Sequence, residues 1–324
     1  MLNIISRSIY NKKVRGPKKV VDNLILGLKK MGYPYVINKD LNSCKRLWIH
    51  DDIEALKRLK DVRKDIAVII GPNLFVNPEN IPKNLDLSRT VYVQPSLMVK
   101  NVWENRKYDK SKIQVWPVGI DTEKYSPSNK DKDLVLVYFK NRKKEELEFI
   151  ENSLKSRNIN YKTIIYGSYN NEDYLNLLKA TKYVIWLGGY ESQGIALEEA
   201  LSCNIPMLVL DKKYEKGILD ENSTSIPYFD DRCGIVLKDI ANMDKSLDIM
   251  EKEYRKFSPR DFILENLDAE KQARKFLDLY EKYFNLKTQD GFKEKCYNSK
   301  DFKVSTVKRL YNKIYGRLFN RQNI

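Results

Sequence analysis

A strand, a glycine turn and a helix follow one another in residues 182–200, which read KYVIWLGGYESQGIALEEA. The β-branched and aromatic run at 182–187 predicts a buried strand, and Gly188–Gly189 ends it with a turn. Apolar residues at helical spacing begin at Ile195, and Ser192 is the expected N-cap. A helix that starts at the edge of a parallel sheet presents free backbone N–H groups and the positive end of its dipole there. The order of these elements predicts an α/β fold with an anion-binding edge.

Two acidic residues bracket the start of this helix. Glu191 and Glu199 are eight residues apart, which corresponds to about 12 Å along a helix that rises about 1.5 Å per residue. Ionised carboxylates accept strong, charge-assisted hydrogen bonds, so the pair suits the two ends of a ligand rich in hydroxyl groups. In the alternative interpretation, Glu191 and Glu198 only complement the helix N-terminus, and Glu199 is a solvated surface residue. The spacing alone leaves both interpretations open.

The acids also match a motif of a known family. Their spacing, from Glu191 to Glu199, resembles the E-x7-E motif of the retaining glycosyltransferases of family 4, which have the two-domain GT-B fold. The following segment, Asn204–Val209, resembles the next strand of that family. Residues 113–127, IQVWPVGIDTEKYSP, resemble the family's N-G-V-D-x-x-x-F-x-P segment, where the chain passes from the first domain to the second. The likeness extends through most of residues 1–284 and is weak in the first domain.

The resemblance implies an activity and an architecture. Family members transfer a sugar from a nucleotide-diphosphate donor to a hydroxyl acceptor, with retention at the anomeric carbon. The implied fold class is α/β GT-B, with two Rossmann-like doubly wound domains facing across a cleft. The expected division is an acceptor-side domain at 1–118, a nucleotide-sugar-binding domain at 119–267, a helix crossing back to the first domain at 268–284, and a basic tail with an amphipathic helix at 285–324.

Apolar runs alternate with helical patterns along the chain, as a parallel doubly wound sheet requires. First-domain strands are predicted at 2–6, 35–37, 47–49, 66–70, 91–93 and 115–118. Second-domain strands are predicted at 134–139, 163–166, 183–187, 207–210 and 234–237, with helices at 143–157, 172–180 and 193–202. An amphipathic helix is expected after a loop at Arg15–Gly16–Pro17. Because ligands bind open α/β sheets where the strands end, we expect the site between the carboxyl ends of the two sheets.

The resemblance assigns donor-binding roles to the quoted stretch. Glu191 is expected to face the donor sugar and Glu199 the ribose, whereas Glu198 is interpreted as a surface neighbour. The backbone N–H groups of Gln193 and Gly194 are candidates for phosphate contact, since glycine permits close approach.

Further candidates lie outside that stretch. Gly16 stands where the family often has a pair of glycines near the diphosphate, but the neighbouring Pro17 has no N–H to donate. Tyr166 and Tyr169 follow a strand where relatives hold the base, so either ring is a stacking candidate, with ordinary packing as the alternative. His50 is the only histidine of the chain. It is a candidate for acceptor binding or proton transfer, with a structural role as the alternative.

Front-face attack, which the resemblance implies, needs no enzyme nucleophile. The protein must instead stabilise negative charge that develops on the diphosphate. Family members use an Arg and a Lys after the first strand of the second domain. Here that predicted strand is followed by residues 140–144, KNRKK, without the usual glycine or spacing. Lys140 and Arg142 are the catalytic candidates, and Lys143 and Lys144 are interpreted as a solvated helix start.

Neither a metal nor a cofactor is expected. The acidic pairs Asp51–Asp52 and Asp230–Asp231 have no matching His or carboxylate cluster, and hard cations need several oxygen ligands. The sequence therefore predicts metal-independent transfer in which the nucleotide sugar is the substrate. The four cysteines are scattered without a C-x-x-C pair, which predicts reduced thiols: Cys44, Cys203, Cys233 and Cys296.

The formal charge of +15 raises the question of a polyanionic partner. Before residue 285, most lysines are interspersed with acids as on solvated helices, so no specific nucleic acid is expected. Residues 303–321 form a basic amphipathic pattern that either lies on an anionic membrane or packs onto the first domain. No apolar run approaches about 18 residues, and Met1–Tyr10 lacks a secretory signal. This predicts a cytoplasmic protein, with the tail as a candidate peripheral contact to the inner face of a membrane, and a sugar, lipid-linked or protein acceptor.

Two other functions are compatible with the sequence. One is a nucleotide-sugar epimerase or phosphorylase on the same GT-B scaffold, because a fold does not determine a function. The other is a noncatalytic basic protein that binds RNA or lipid, which the irregular segment at 140–144 suggests. The pair of Glu191 and Glu199 favours the transferase.

Overall fold

The computed structural model describes residues 1–211 and 223–287, and within them lie two parallel β-sheets, one of six strands and one of five. The strands of the first sheet are β1 (Leu2–Ile5), β2 (Tyr35–Ile37), β3 (Arg46–Ile49), β4 (Ala67–Ile70), β5 (Thr90–Gln94) and β6 (Ile113–Val115). Those of the second are β7 (Leu134–Phe139), β8 (Tyr161–Ile165), β9 (Thr181–Leu187), β10 (Met207–Leu210) and β11 (Gly234–Leu237).

The strand order is β2-β1-β3-β4-β5-β6 in the first sheet and β11-β10-β9-β7-β8 in the second. Neighbouring strands pair in parallel throughout both sheets. The described helices are α1 (Gly16–Lys30), α2 (Ile53–Lys57), α3 (Leu97–Asn105), α4 (Lys144–Ser156), α5 (Asn171–Ala180), α6 (Ile195–Ser202), α7 (Met243–Glu253), α8 (Pro259–Asn266) and α9 (Ala269–Phe284). Two parallel-sheet α/β domains confirm the predicted fold class.

Both faces of the first sheet are buried, because alternate residues of each strand point to opposite sides. Trp48 and Ile69 pack on one side with apolar residues of α1 and α9. Leu47 and Ile70 pack on the other side with residues of α2 and α3. The sheet is therefore covered on both faces, as its nearly continuous apolar strands require.

The second sheet is buried in the same way. Tyr138 and Trp186 stack at 4.0 Å between ring centroids on the side covered by α5, α6 and α8. Val137 and Ile185 pack on the side covered by α4 and α7. The strand ends, rather than the sheet faces, are left open to a ligand.

The chain passes between the two sheets twice, and the two crossings are hydrogen-bonded to each other. The Ile120 N–H donates to the Leu267 carbonyl at 2.7 Å, and the Ala269 N–H donates to the Ile120 carbonyl at 3.2 Å. Gly119 lies so close that an added Cβ would be 2.4 Å from the Ala269 Cα. After the second crossing, α9 packs against α1 and the first sheet.

Several predicted strands have the bounds that the structure shows. The predictions at 134–139, 207–210 and 234–237 are confirmed as β7, β10 and β11. The predicted strand at 115–118 is wrong, because β6 ends at Val115. The Trp116 N–H still bonds to the Gln94 carbonyl, but Pro117 follows, and proline has no N–H with which to continue the ladder.

The segment at Arg15–Gly16–Pro17 is not the loop that was expected. The helix α1 begins at Gly16, with Arg15 as its N-cap, and Pro17 lies in its first turn. Proline is favoured there because the first N–H groups of a helix have no partner within it.

None of the helices in the described ranges is long and apolar enough to cross a membrane. The predicted amphipathic segment at 303–321 lies outside the described residues, so its interpretation stays a prediction.

Replacing Gly27 by alanine tests the packing of α1 against α9. An added Cβ would lie 2.2 Å from the Ala269 carbonyl oxygen and 2.6 Å from the Ala273 Cβ. Because the backbone of α9 must shift to admit it, we expect Gly27→Ala to lower the free energy of unfolding by about 1–3 kcal/mol. Urea denaturation measures this change.

Gly16→Ala in the same helix is the matched control. A Cβ at Gly16 has nothing within 4 Å, so its stability should remain that of the wild type. Equal stability of the two variants would contradict close packing of α1 on α9.

Candidate active site

The two predicted residues Lys140 and Glu191 form an ion pair. The Lys140 Nζ lies 2.7 Å from the Glu191 Oε1 and 2.9 Å from the Oε2. Lys140 directly follows β7 and Glu191 follows the turn after β9, and these strands are neighbours with Phe139 opposite Leu187. The carboxyl ends of adjacent parallel strands therefore bring the two side chains together.

Two glycines, Gly188 and Gly189, lie in close contact with their surroundings in the loop after β9. A Cβ at Gly188 would lie 2.3 Å from the Trp186 indole nitrogen, and one at Gly189 would lie 3.0 Å from the Asn141 Cβ. Asn141 itself has a left-handed backbone with φ of 51°. Gly189 thus lets the loop after β9 pass close to the loop after β7, whereas Gly188 leaves room for the Trp186 ring.

Glu191 is an acid held in a poorly solvated place. It is 9% exposed. Burial raises the pKa of the Glu191 carboxyl, while the Lys140 ammonium opposes this rise. Because the pKa is raised overall, desolvation outweighs the ion pair.

The helix α6 begins later than the sequence suggested. Its N-cap is Gly194, which has a left-handed backbone with φ of 94°, and no side chain caps it. The prediction that Ser192 is the N-cap is therefore wrong. A left-handed residue favours glycine, and the turn places this conformation immediately before Ile195.

The Gln193 side chain fastens this loop to the first crossing. Its Oε1 accepts from the Val118 N–H at 3.0 Å, and its Nε2 donates to the Val118 carbonyl at 2.8 Å and to the Glu198 Oε2 at 2.9 Å. The side chain of Gln193 is thus fully used within the protein. A phosphate contact by its backbone N–H stays a prediction.

Glu198 is not the surface neighbour that was expected. It is fully buried beside Gln193, and its Oε1 has no hydrogen-bond partner. Burial, reinforced by the nearby Glu199 and Glu191 charges, raises the pKa of the Glu198 carboxyl well above its ordinary value, against the Gln193 hydrogen bond. Residues on all sides of α6 from Leu197 to Ser202 are buried, so the Glu198 side chain does not reach solvent.

Glu199 pairs with a residue that the sequence analysis missed. The Lys19 Nζ lies 2.7 Å from both Glu199 oxygens. Lys19 is on α1 of the first domain, and Glu199 is on α6 of the second. The separation of 180 residues left no local signal by which this partner could be found.

A cavity of about 380 Å³ lies between α1 and the second domain. Lys19 and Glu199 both line it, together with Asp121 and Tyr125. A larger cavity of about 590 Å³ is lined by residues 115–117, residues 227–229 and parts of α8 and α9. None of the predicted site residues is among the described residues that line the larger one.

Arg142 does not join the pair of Lys140 and Glu191. Its guanidinium donates to the Glu146 carboxylate at 2.6 and 2.8 Å, and to the carbonyls of Gly188 and Leu210 at 3.2 and 2.7 Å. Arg142 therefore ties the loop after β7 to the ends of β9 and β10. Lys143 and Lys144 are exposed at the start of α4, as expected.

The two candidate tyrosines differ in their surroundings. Tyr166 is half-exposed, and the Lys140 Nζ lies 4.3 Å from its ring centroid. The Tyr169 hydroxyl instead donates to the Tyr138 hydroxyl at 3.4 Å, and burial raises the pKa of Tyr169 to about 12. Tyr166 is the ring that lies beside the ion pair.

His50 is buried at the start of α1. Its Nε2 lies 3.0 Å from the Pro17 carbonyl and 3.2 Å from the Asn73 Nδ2, and its Nδ1 has no partner. Burial lowers the pKa of His50, against the nearby Asp51 charge. The ring thus holds the first turn of α1, whereas Gly16 in that turn is exposed.

The acidic pairs have local structural roles. Asp51 accepts from the backbone N–H groups of Arg7 and Ser8, and Asp52 caps α2. Asp230 pairs with Arg232. Among residues 1–211 and 223–287, no group of three or more His, Cys, Asp or Glu is placed to hold a metal ion.

The cysteines of the described ranges are free and buried: Cys44, Cys203 and Cys233. Burial raises the pKa of both the Cys203 and the Cys233 thiols to about 12. Cys296 lies outside the described residues.

Asp211 is a further residue that the sequence analysis missed. It follows β10 and accepts hydrogen bonds from the Thr224 hydroxyl and from the N–H and hydroxyl of Ser225, each at 2.9 Å. The Thr224 carbonyl in turn accepts from the Glu191 N–H at 3.3 Å. The position of Asp211 directly after the apolar strand β10 was the feature of the sequence that could have indicated it.

Residues 121–235 match the family model described as Glycosyl transferases group 1. This region resembles a group 1 glycosyltransferase domain. It contains Lys140, Glu191 and Glu199, and the match supports glycosyl transfer from a nucleotide sugar.

Solved structures share the two-domain fold of this chain. A glycosyltransferase from Rickettsia africae ESF-5 is 13% identical with a TM-score of 0.55, covering 84% of this chain and 83% of its own. Anabaena Alr3699/HepE in complex with UDP and glucose is 9% identical with a TM-score of 0.57, covering 86% and 99%. A Listeria monocytogenes protein assigned as a UDP-N-acetylglucosamine 2-epimerase is 12% identical with a TM-score of 0.51, covering 89% and 98%. Identities this low show the GT-B fold alone. None of the curated proteins matches the sequence significantly.

The raised pKa of Glu198 predicts that the stability of the fold depends on pH. Its raised pKa means that the folded protein holds this proton more tightly than the unfolded chain does. The stability from this proton is present at acidic pH and is lost as the pH rises towards the raised pKa. Because Glu198→Gln cannot ionise, its free energy of unfolding should fall less than that of the wild type between about pH 5 and about pH 8. Urea denaturation across this range measures the difference.

Glu145→Gln, at an exposed position of α4, is the control and should follow the wild type. A Glu198→Gln protein with the same pH dependence as the wild type would show that Glu198 is not protonated in the fold.

Proposed function

We propose that this protein is a glycosyltransferase that moves a sugar from a nucleoside-diphosphate donor to a hydroxyl acceptor, with retention and without a metal ion. One observation carries the proposal. Within the region that matches group 1 glycosyltransferases, two buried acids, Glu191 after β9 and Glu199 on α6, each hold a lysine ammonium. These pairs supply acceptors for sugar hydroxyls and cations for a diphosphate.

Each residue has a role in this proposal. Glu191 accepts hydroxyl groups of the donor sugar, and Glu199 accepts those of the ribose. The first turn of α6, with the left-handed Gly194 before it, offers backbone N–H groups to phosphate. Lys140 then turns from Glu191 towards the leaving diphosphate and stabilises its developing charge. The half-exposed Tyr166 beside Lys140 is a candidate platform for the base.

The chemical step needs no protein nucleophile. The bond from the anomeric carbon to the phosphate oxygen breaks, and a bond from that carbon to the acceptor oxygen forms on the same face. The proton of the acceptor hydroxyl passes to the departing phosphate. What the protein contributes is orientation of the two substrates and electrostatic stabilisation of the leaving group.

The proposed acceptor is the hydroxyl of a sugar, a lipid-linked molecule or a protein. An epimerase is the second candidate function, because the Listeria protein shares the fold. The products separate the two functions: a transferase releases nucleoside diphosphate and glycosylates an acceptor, whereas an epimerase converts the nucleotide sugar itself.

Removing the charge of either residue in the pair of Lys140 and Glu191 should abolish most of the activity. We expect Glu191→Gln and Lys140→Met each to lower kcat on the order of 10²–10³-fold, because a preorganised charge at the reacting centre is lost. Release of nucleoside diphosphate from a panel of nucleotide sugars measures this effect.

Glu251→Gln is the matched control. Glu251 also holds a lysine, since its Oε2 lies 2.8 Å from the Lys182 Nζ. Lys182 is near the amino end of β9, away from the strand end that leads to Glu191. Activity should persist in this control. Unchanged turnover in both site variants would refute the proposed roles.

Chelation tests the proposed independence from metal. We expect EDTA to leave the rate of transfer unchanged, since lysine ammonium groups neutralise the diphosphate in this site. An activity that EDTA abolishes and magnesium or manganese restores would overturn this part of the proposal.

A further inference from the structure

An ion pair joins the two domains at the place proposed for the donor ribose. The Lys19 Nζ contacts both Glu199 oxygens at 2.7 Å, and the two side chains are 13% and 3% exposed. Lys19 belongs to α1 and Glu199 to α6, so a cation of the first domain pairs with an acid of the second. Within the described residues, this acid is therefore already paired before any donor binds.

We propose that Lys19 is a positioning residue that changes its partner when the donor binds. It pairs with Glu199 in the empty protein and with the diphosphate of the donor in the complex. This inference rests on the proposed function, because it takes Glu199 as the ligand of the ribose.

The first reason for the exchange is that a buried charge needs a partner of opposite charge. When ribose hydroxyls occupy the Glu199 carboxylate, the ammonium of Lys19 loses its partner in a poorly solvated place. A buried charge without a partner is strongly unfavourable. The incoming donor carries negative phosphates, so it supplies a new partner at the moment at which the old one is taken.

The neighbouring acids are already engaged. Asp22 and Asp121 also line the cavity of about 380 Å³. Asp22 accepts from the Lys18 Nζ at 3.0 Å, and Asp121 accepts from the Lys124 backbone N–H at 3.0 Å. The diphosphate is therefore the better acceptor for the released Lys19.

The position of Lys19 on its helix allows the movement. It lies one turn into α1, three residues after Gly16, and Glu199 lies one turn into α6. The positive ends of two helix dipoles thus flank the pair and favour an anion there. A lysine has a flexible stem that carries a compact charge, so its amine can shift without movement of the backbone.

The exchange has a consequence for affinity. A nucleoside must compete with Lys19 for Glu199 and offers the displaced ammonium no anion in return. A nucleoside diphosphate displaces the same ammonium but also receives it. Lys19 therefore makes the protein discriminate between diphosphates and nucleosides.

Calorimetric titration of the full chain tests this discrimination. The probes are uridine, guanosine and adenosine, each compared with its diphosphate, and the variants are Lys19→Met and Lys19→Arg. We expect the affinity advantage of the diphosphate over the nucleoside to shrink about tenfold or more in Lys19→Met, since a charge-assisted contact is lost. Nucleoside affinity should stay the same or rise, because Glu199 is released. Lys19→Arg should retain most of the advantage.

Lys30→Met is the matched control. Lys30 is another lysine of α1 that pairs with an acid of the second domain, but its partner is Glu123, at 2.8 Å, at the other end of the helix. Both affinities should remain those of the wild type in this variant. Lys19→Gln keeps an N–H donor for Glu199 and gives the same comparison if the methionine variant is poorly folded, which melting temperatures will show.

Two results overturn the inference in different ways. If Lys19→Met and Lys19→Gln keep the full advantage of the diphosphate, or lose nucleoside and diphosphate affinity equally, Lys19 is only a structural link, and the proposed function stands. If the wild type binds none of the three diphosphates, the proposed function itself fails, and the inference fails with it.

Discussion

The parallel pairing of β7 with β9 determines where the candidate site lies. Phe139 is opposite Leu187, so the segments that follow the two strands leave the sheet side by side. Lys140 and Glu191 meet in these segments, and Gly189 gives the second segment room to pass the first. A slip of one residue in this register would turn Lys140 to the opposite face and separate the two charges.

Charge in the site is balanced before any ligand arrives. Glu191 pairs with Lys140 of the same domain, whereas Glu199 pairs with Lys19 of the other domain. Of these two ion pairs, only the second links the two domains. Burial nevertheless raises the pKa of Glu191, which shows that its ion pair compensates for desolvation only in part. A ligand that brings both hydroxyl donors and an anion can replace each partner of such a pair, since the hydroxyls bond to the carboxylate and the anion pairs with the ammonium.

Local pattern was enough to predict most strands of the two sheets, but not which side chains would pair. The apolar runs at 134–139, 207–210 and 234–237 end at polar or turn residues, which fixed those strands. The start of α6 was predicted at the wrong residue. The left-handed conformation of Gly194 cannot be recognised from the sequence when a good capping residue, Ser192, lies two positions before it. The burial of Glu198 depends on packing around α6, and the contact of Lys19 with Glu199 joins distant segments. Neither follows from periodicity, since both depend on packing between segments that are separate in the sequence.

The contact of α9 with α1 ties the order of synthesis to the order of folding. Phe276 and Tyr280 of α9 complete the core on one face of the first sheet, although they follow the whole second sheet in the chain. During translation, this face of the first sheet therefore stays partly uncovered, protected only by α1, until α9 has left the ribosome. The core of the first domain is thus completed only after the second sheet has been synthesised, and a truncation before residue 269 would leave part of that apolar face exposed to aggregation.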